Sequence, residues 1–504
     1  MSSTTGPVAL RLSSAPGRWV LAATVLGSAV TAIDSTVVGI ALPAIGRNFS
    51  LTVSSLQWVV TAYLISLAGL LLVGGALGDR YGRRRIFIIG VVWFALASLA
   101  CAIAPDAGVL IAGRTLQGVG GALLTPGSLA ILQASFAKDD RARAIGAWSG
   151  LGGVATAIGP FAGGFLISAV SWRLIFLINL PLALVVVLVA TRHVPETRDP
   201  DAAGPVDVLG AALVTIGLVG LAGGLIEAPT YGWSSSLVLG LLAGSAVAFV
   251  AFVVTEGRER YPMLPLGIFR SMQFSATNAV TFVVYAALGG ALFLLPVQLE
   301  QVSHYTPLEA GSSLLPLTAV MLAFSARSGA LAVRLGPRLQ MAVGPVVVGG
   351  GMVLLRMIGP SGDYLTEVLP GVLVLAAGLA ITVAPLTATA LSSAPVEHAG
   401  VASAVNNDVA RAGGLIAVAL LPALSGLSGH SYVHPDQFSA GFRHAVVLAG
   451  GAAALGGLLA AALVRNPGVT HRVRAHRPTM SCALEATCLG PTVPEPVGTN
   501  LGRT

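Results

Sequence analysis

Long apolar runs alternate with short charged or Pro- and Gly-rich breaks along most of this chain. Each run approaches or exceeds the ~20 residues that an α-helix needs to cross the hydrocarbon core of a bilayer. The pattern predicts fourteen membrane spans, at 19–43, 56–77, 86–104, 109–132, 144–168, 174–191, 207–227, 237–254, 274–299, 311–333, 340–360, 367–391, 402–427 and 443–464. The fold class is therefore predicted to be an all-α integral membrane protein.

Composition supports the same class. Of the 504 residues, 55% are hydrophobic and only 10% are charged, whereas an ordinary soluble domain has about 25% charged residues. The first apolar run is too long for the core of a cleavable signal peptide, and it carries Asp34. Cys101, Cys482 and Cys488 form neither a disulfide framework nor a zinc-ligand spacing.

The basic side chains predict how the helices are oriented. If the N-terminus is cytoplasmic, 21 Arg and Lys side chains fall in cytoplasmic segments and 4 fall outside. Because basic loops favour the cytoplasmic side, both termini are predicted to be cytoplasmic. The positive charge thus indicates topology rather than nucleic-acid binding. The Arg-, Ala- and Gly-rich composition indicates a bacterial cell (inner) membrane.

An internal repeat divides the chain. The pattern Gly75-x-Leu77-x-x-Arg80-x-Gly82-x-Arg84 recurs as Gly329-x-Leu331-x-x-Arg334-x-Gly336-x-Arg338, at an offset of 254 residues. Duplicated halves are typical of secondary carriers. The predicted domains are a cytoplasmic N-terminus (1–18), a six-helix bundle (19–191), a linker with two extra membrane helices (192–273), a second six-helix bundle (274–464) and a disordered cytoplasmic tail (465–504).

Two charged residues lie within predicted spans at matching depth. At 1.5 Å per residue, Asp34 in span 1 lies about 8 Å below the outer face and Arg114 in span 4 about 9 Å below it. An intramembrane acid is by default a functional-site hypothesis. We therefore predict that Asp34 and Arg114 make contact and couple transport to protons; the alternative is a permanent structural ion pair.

The loop after span 2 and the middle of span 5 are candidates for gating. Asp79 near a helix end could contact a helix N-terminus or an Arg across the interface of the halves in one conformation only. Span 5 carries Gly159-Pro160-x-x-Gly163-Gly164, which permits close packing and a bend. The alternatives are topology alone for the loop and packing alone for the glycines.

Other polar residues within the spans are weaker candidates. Five could line a substrate cavity: Tyr63, Gln117, Asn278, Tyr285 and Gln298. Asp408 and Arg411, three residues apart, are predicted to form a local ion pair. Glu227 and Glu300 lie near outer ends of spans and are predicted to be solvated.

No catalytic arrangement competes with transport. The chain has no phosphate-binding loop of the form G-x-x-x-x-G-K-[ST], no H-E-x-x-H pair and no nucleophile elbow. We therefore expect no catalytic residues, no metal site, no ATP and no cofactor, with the proton gradient as the energy source.

Several of these strings match known family patterns. The loop Gly75 to Arg85 resembles the signature loop of the major facilitator superfamily, and G-P-x-x-G-G resembles its antiporter motif. Four further strings resemble the drug:proton antiporter-2 family of fourteen-helix multidrug exporters: Ile33-Asp-Ser-Thr-Val-Val-Gly-Ile-Ala-Leu-Pro43, Leu56-Gln-Trp-Val-Val-Thr-Ala-Tyr-Leu64, Arg114-Thr-Leu-Gln-Gly-Val-Gly-Gly-Ala122 and Trp172-Arg-Leu-Ile-Phe-Leu-Ile-Asn-Leu-Pro181. The chain departs from the family at Gly39, usually Asn, and at Ala155, usually Gly.

The resemblance implies a major facilitator fold, with two six-helix bundles and two linker helices, and no enzyme activity. It implies a proton-coupled antiporter, working as a monomer, that exports small amphipathic or cationic drugs by alternating access. The implied roles are proton coupling by Asp34 and Arg114, and gating by Asp79, Arg80, Gly82, Arg84, Gly159, Pro160, Gly163 and Gly164. Alternatives are an exporter dedicated to one self-made metabolite, a proton symporter, or a membrane sensor or lipid-handling enzyme on a carrier scaffold.

Overall fold

A computed structural model of the protein describes residues 10–199, 206–393 and 399–466. The predicted tail beyond residue 466, with Cys482 and Cys488, and the first nine residues of the predicted N-terminal segment lie outside the described residues.

The described residues contain fourteen helices that are long and apolar enough to cross a membrane, which confirms the prediction of an all-α membrane fold. They are α1 Ala15–Phe49, α2 Val53–Tyr81, α3 Arg83–Ala102, α4 Ala107–Ser135, α5 Asp139–Ala169, α6 Leu174–His193, α7 Val208–Tyr231, α8 Ser236–Glu256, α9 Met272–Gln301, α10 Pro307–Ala332, α11 Pro337–Met357, α12 Tyr364–Ser392, α13 Val401–Leu424 and α14 Pro435–Leu463.

Short polar residues in the connections begin many of these helices. Their side-chain oxygens accept a hydrogen bond from a backbone N–H in the first turn, which would otherwise lack a partner. The residues that do so include Ser14, Thr52, Asp106, Asp207, Ser235 and Ser271. The breaks in the hydrophobic pattern therefore also carry the signals that start the next helix.

The repeated loop has the same backbone in both copies. Gly82 separates α2 from α3 with φ 115°, and Gly336 separates the end of α10 from α11 with φ 81°. Only glycine adopts such positive φ values without strain. In both copies the last Arg of the motif binds a carbonyl in or just after the sixth helix of its own repeat: Arg84 Nη1 donates to Val194 O at 3.0 Å, and Arg338 Nε donates to Ala461 O at 3.0 Å.

Helices α1–α6 pack mainly on one another, and so do α9–α14. Helices α7 and α8 pack on each other, and α7 also contacts α2 and α13. Leu218 and Ala222 of α7 share an apolar cluster with Ile65 of α2 and Leu415 of α13. The extra pair of helices therefore touches both bundles. Glu227 at the far end of α7, predicted to be solvated, is only partly exposed and accepts a hydrogen bond from Trp58 Nε1 at 3.0 Å.

We call the membrane face that contains the Asp79–Arg85 loop the basic face, and the other the opposite face. The bundles are tied together at the opposite face. Val53 N donates to Gly429 O at 2.8 Å, Gln57 Nε2 donates to Val418 O at 2.7 Å, and Tyr432 OH donates to Gly46 O at 2.9 Å. Leu308 N, at the start of α10, donates to Ser168 Oγ of α5 at 3.3 Å.

Towards the basic face the bundles separate. Ser35 in the middle of α1 and Asn407 in α13 are exposed, although both helices contact the other bundle. An added β-carbon at Gly39 or Gly150 would meet no atom within 4 Å. Together with the hydrogen bonds that join the bundles at the opposite face, these exposed positions indicate a space between the bundles that opens towards the basic face.

Candidate functional site

Asp34 of α1 and Arg114 of α4 form an ion pair inside the first bundle. Arg114 Nη1 lies 2.5 Å from Asp34 Oδ2, and each residue is only 1% exposed. The depth argument from the sequence placed both residues at this level, and the structure brings them together. Neither side chain faces lipid, and neither faces the space between the bundles.

Two neutral amides complete the surroundings of Asp34. Oδ1 accepts hydrogen bonds from Gln117 Nε2 and from Asn179 Nδ2, each at 3.1 Å. The carboxylate thus has three donors, supplied by α4 and α6. Hydrogen bonds to an ionised partner are stronger than neutral ones, so the three donors offset part of the cost of burying this ion pair.

The amides are held in turn by α3. Ser98 Oγ accepts from Gln117 Nε2 at 2.7 Å and from Asn179 Nδ2 at 3.2 Å. Gln117 Oε1 accepts from Arg114 Nη1 at 2.7 Å and from Cys101 Sγ at 3.4 Å. Because both the oxygen and the nitrogen of the Gln117 amide have partners of matching polarity, Gln117 can take only one orientation, whereas Asn179 Oδ1 has no hydrogen-bond partner among the described residues.

Arg114 is fixed by α2 as well as by the acid. Its Nε donates to Val59 O at 3.1 Å, and its guanidinium lies 4.3 Å from the centre of the Tyr63 ring. A cation over an aromatic face is stabilised by the ring's quadrupole, and more so when water is excluded. Gly118 permits this approach, because an added β-carbon there would lie 2.4 Å from Tyr63 O.

Sequence reasoning missed three members of this network: Ser98, Cys101 and Asn179. Asn179 lies inside one of the quoted family strings and about 8 Å along α6 from its start, the same depth as Asp34. The depth argument applied to neutral polar residues would therefore have found it. Ser98 and Cys101 carry no comparable signal.

The predicted cavity residues need correction for this conformation. Tyr63 and Gln117 belong to the buried network instead. Asn278 is buried against Asn406, which donates to its Oδ1 at 3.1 Å, and Gln298 is buried where it donates to Ile358 O at 3.1 Å. These side chains serve helix contacts, because a buried amide needs a partner. Tyr285 is partly exposed.

The Asp79–Arg85 loop is held to the first bundle by an ion pair and hydrogen bonds. Arg83 Nε and Nη2 lie 2.8 and 2.7 Å from Asp79 Oδ1. Glu196, after α6, accepts from the backbone N of Arg84 at 3.1 Å and of Arg85 at 3.2 Å. Asp79 therefore binds an Arg four residues away, and among the described residues its side chain does not make the predicted contact across the bundles in this conformation. The Arg80 guanidinium lies 5.6 Å from the centre of the Tyr81 ring.

The glycines of α5 sit at two helix contacts. An added β-carbon would lie 2.1 Å from Thr36 Oγ1 at Gly159 and 2.8 Å from Val37 Cγ1 at Gly163, so both glycines let α5 approach α1. At Gly164 it would lie 2.3 Å from Pro307 O of α10, while Pro160 O faces Gly311 in the same way at 2.2 Å. The motif thus packs α5 against both bundles near the opposite face.

Two further expectations about charged residues are wrong. Asp408 and Arg411 are not within ion-pair distance in the described part of the chain, and Asp408 Oδ1 is buried with no hydrogen-bond partner there. A spacing of three residues on a helix permits a contact but does not impose it. Glu300, predicted to be solvated, is buried between helices at 7% exposure.

Comparisons with known proteins agree with one another. A sequence model described as Major Facilitator Superfamily matches residues 24–419. The chain is 35% identical over 425 residues to a tetracenomycin C resistance and export protein of Streptomyces glaucescens, covering 83% of this chain and 78% of that one. It is 34% identical to a methylenomycin A resistance protein of Bacillus subtilis (89% and 94% covered) and to a multidrug resistance protein of Mycobacterium tuberculosis (80% and 74% covered).

Solved structures share the fold. A peptide transporter of the POT family superposes with TM-score 0.64 at 16% identity, covering 88% of this chain and 97% of the other. A bacterial homologue of the lysosomal transporter Spinster, in an inward-facing conformation, superposes with TM-score 0.62 at 17% identity, covering 90% of this chain and 100% of the other. At such identities the likeness concerns the fold alone.

Proposed function

Because this chain belongs to the major facilitator superfamily and is related to its antibiotic and multidrug exporters, we propose that it exports small amphipathic or cationic compounds in exchange for protons. The family consists of transporters, so the chain is a drug-efflux carrier rather than an enzyme. The observation that carries the proton-coupling proposal is the Asp34–Arg114 pair, buried in the first bundle with two amides on the remaining carboxylate oxygen.

The basic face is proposed to be the cytoplasmic one, since positive loops favour that side. Both termini then lie in the cytoplasm and the protein resides in the bacterial cell membrane. The space between the bundles opens towards the cytoplasm, which is where an exporter collects its substrate. We expect a monomer that uses neither ATP nor a cofactor.

A proton on Asp34 would remove one charge of the buried pair. Arg114 would lose its strongest partner, while Val59 O, Gln117 Oε1 and the Tyr63 ring would continue to hold it. Arg114 ties α4 to α1 and α2, so a change at this bond alters how these helices pack. A coupling free energy of ~1–3 kcal/mol is enough to shift a two-state equilibrium between open and closed faces.

Inverted membrane vesicles test this proposal directly. With an imposed pH gradient, the wild-type protein should accumulate fluorescent organic cations, and Asp34→Asn should not. Asp34→Asn should still move a labelled cation down the concentration gradient of that cation, because the substitution leaves the fold and the substrate cavity intact.

Asp436→Asn is the matched control, an acid-to-amide change at an exposed position at the start of α14. It should transport like the wild type. Gradient-driven accumulation by purified Asp34→Asn protein at the wild-type rate would refute the coupling role.

Export of a single compound is a second candidate, favoured by relatives that are named for one antibiotic each. The two candidates separate in the same vesicles. A dedicated exporter would not transport a panel of unrelated cations, and compounds of only one chemical class would inhibit its transport. A multidrug exporter would be inhibited by several classes.

A further inference from the structure

Glu300 is a buried carboxyl group that the Asp34 network leaves unused. It lies one residue before the end of α9, at the opposite face, and its side chain is 1% exposed. Neither of its carboxyl oxygens has a hydrogen-bond partner among the described residues. Buried acids are normally hydrogen-bonded or paired at close range, so this group needs an explanation.

One cation is near it, on the other bundle. Arg47 Nη2, at the end of α1, lies 3.6 Å from Glu300 Oε2, and the Arg47 side chain is 51% exposed. A single long contact to a half-exposed guanidinium contributes little, and it does not offset the desolvation cost of burying a carboxylate. A neutral carboxylic acid avoids most of that cost.

Glu300 lies at the contact between the two bundles on the opposite face, and this contact must open during transport. Beside Arg47, Gly46 O accepts the hydrogen bond from Tyr432 OH that ties α1 to the second bundle. Separation of the bundles at this face would bring water to Glu300. Hydration favours the ionised acid, and the closed contact disfavours it.

We propose that Glu300 is a second proton-binding site, which takes up a proton from the opposite face as the bundles close there and returns it to the same side as they open. This proposal rests on the proposed alternating-access cycle and orientation, but not on the coupling role of Asp34. The two acids differ in kind, since Asp34 has three donors inside one bundle and Glu300 lies between bundles.

Proton binding and closure are then linked with a definite sign. A low pH at the opposite face stabilises the closed contact, and a high pH there favours opening. One titrating group changes the opening equilibrium by at most about tenfold per pH unit, and only between its two pKa values. The proton is returned to the side it came from, so Glu300 sets the external pH dependence and not the transport stoichiometry.

Other titratable or charged groups lie on the elements packed around the end of α9. Arg47 is on α1, and the outer half of α13 carries none. The others are His304 and Tyr305 after α9, Glu309 in α10, Asp363, Tyr364 and Glu367 at the start of α12, His430, Tyr432 and His434 before α14, and Asp436, Arg443 and His444 in α14. Burial raises the pKa of Tyr432 and of Tyr305, so both stay protonated in the neutral range. The four exposed histidines of this set, His304, His430, His434 and His444, serve as the controls for the pH dependence.

A distance measurement across the contact tests the proposal. Ser168 of α5 and Leu308 of α10, which are hydrogen-bonded across the opposite face, are replaced by cysteines and spin-labelled. Cys482 and Cys488 are changed to Ser, and the buried Cys101 is kept. Double electron–electron resonance spectroscopy of the purified, spin-labelled full chain then gives the populations of the open and closed conformations as a function of pH.

The wild-type background should show the open fraction rising with pH, with a slope of up to tenfold per unit. Glu300→Gln should remove this dependence, whereas Asp34→Asn and the combined change of the four exposed histidines to Gln should keep it. An unchanged pH dependence in Glu300→Gln, or a wild type whose populations ignore pH, would overturn the proposal.

Arg47→Gln keeps the test decisive if Glu300→Gln does not fold. Removing the cation withdraws support from the ionised acid in the closed contact, so the open fraction at alkaline pH should exceed that of the wild type; an unchanged open fraction at alkaline pH counts against the proposal. If Asp34→Asn loses gradient-driven export but Glu300→Gln keeps the pH dependence of the open fraction, only the Glu300 proposal is rejected. If Asp34→Asn exports normally but Glu300→Gln loses that pH dependence, only the coupling role of Asp34 is rejected.

Discussion

Helices α1 and α9 are the first helices of the two repeats, and they differ in the polar and charged residues that they bury. At the repeat offset of 254 residues, Asp34 of α1 corresponds to Leu288 of α9, which is buried in the apolar core. The polar residues of α9 that meet α13 are neutral: Asn406 donates to Asn278 Oδ1 at 3.1 Å and to Thr281 Oγ1 at 2.9 Å. The repeat keeps the helix packing and the loop glycine, but among the described residues only the first copy holds an ion pair with both side chains buried.

The difference teaches what a buried charge requires. Asp34 persists because Arg114, Gln117 and Asn179 converge on it from two helices and a third helix orients the amides. Glu300 in α9 lacks such donors, so we assign its protonation to the closing of the bundles rather than to the exchange of substrate. The neighbours that the fold supplies thus decide which event is coupled to the protonation of a carboxyl group in the membrane.

The largest effect is expected from breaking the pair in the first repeat. Arg114→Ala leaves Asp34 buried without its cation and should lower the free energy of unfolding by ~3–5 kcal/mol. Thermal unfolding in detergent measures this. The double variant Asp34→Asn, Arg114→Leu should regain most of the stability and no gradient-driven transport. A double variant no more stable than Arg114→Ala would contradict the account.

Removing one neutral donor should cost less. Asn179→Ala takes a hydrogen bond from a charged acceptor and should destabilise the protein by ~1.5–3 kcal/mol, with slower gradient-driven export. The control is Asn407→Ala in α13, an exposed asparagine whose side chain, within the described part of the chain, donates to the carbonyl of Ser403 at 3.0 Å. Equal losses in the two variants would show that Asn179 has no special role.

The glycine contacts between the bundles come next. Gly164→Ala places a methyl group against Pro307 O and should weaken the closed contact at the opposite face by ~1–3 kcal/mol. The spin-label distance between α5 and α10 should then report more of the open form at every pH. Gly39→Ala, where the space is empty, should leave the populations unchanged.

The smallest effect should be the same in both repeats. Arg84→Ala and Arg338→Ala each remove a partly exposed hydrogen bond to a carbonyl in or just after the sixth helix of a repeat. Each should cost ~0–1 kcal/mol in thermal unfolding, because water replaces the lost partner. A loss above 3 kcal/mol in one variant only would show that the two loops are not equivalent.

The candidate site could be predicted in part. Depth along a helix follows from counting residues, so Asp34 and Arg114 were matched from sequence. Counting says nothing of which side of a helix meets a neighbour, so Gln117, Gln298 and Asn278 were assigned to a cavity that their side chains do not face. The same gap concealed the burial of Glu300.

The sequence by itself determined the number of helices, their class and the basic face, because apolar length and charge bias are read along one dimension. Only the tertiary structure decided that Ser98, Gln117 and Asn179 share one carboxylate, that Asp408 and Arg411 stay apart, and that Arg47 meets Glu300 across the bundles. Lipid and the protein interior are similarly apolar, so hydropathy does not distinguish the inward face of a membrane helix from its outward face. Contacts between residues far apart in the chain make that choice.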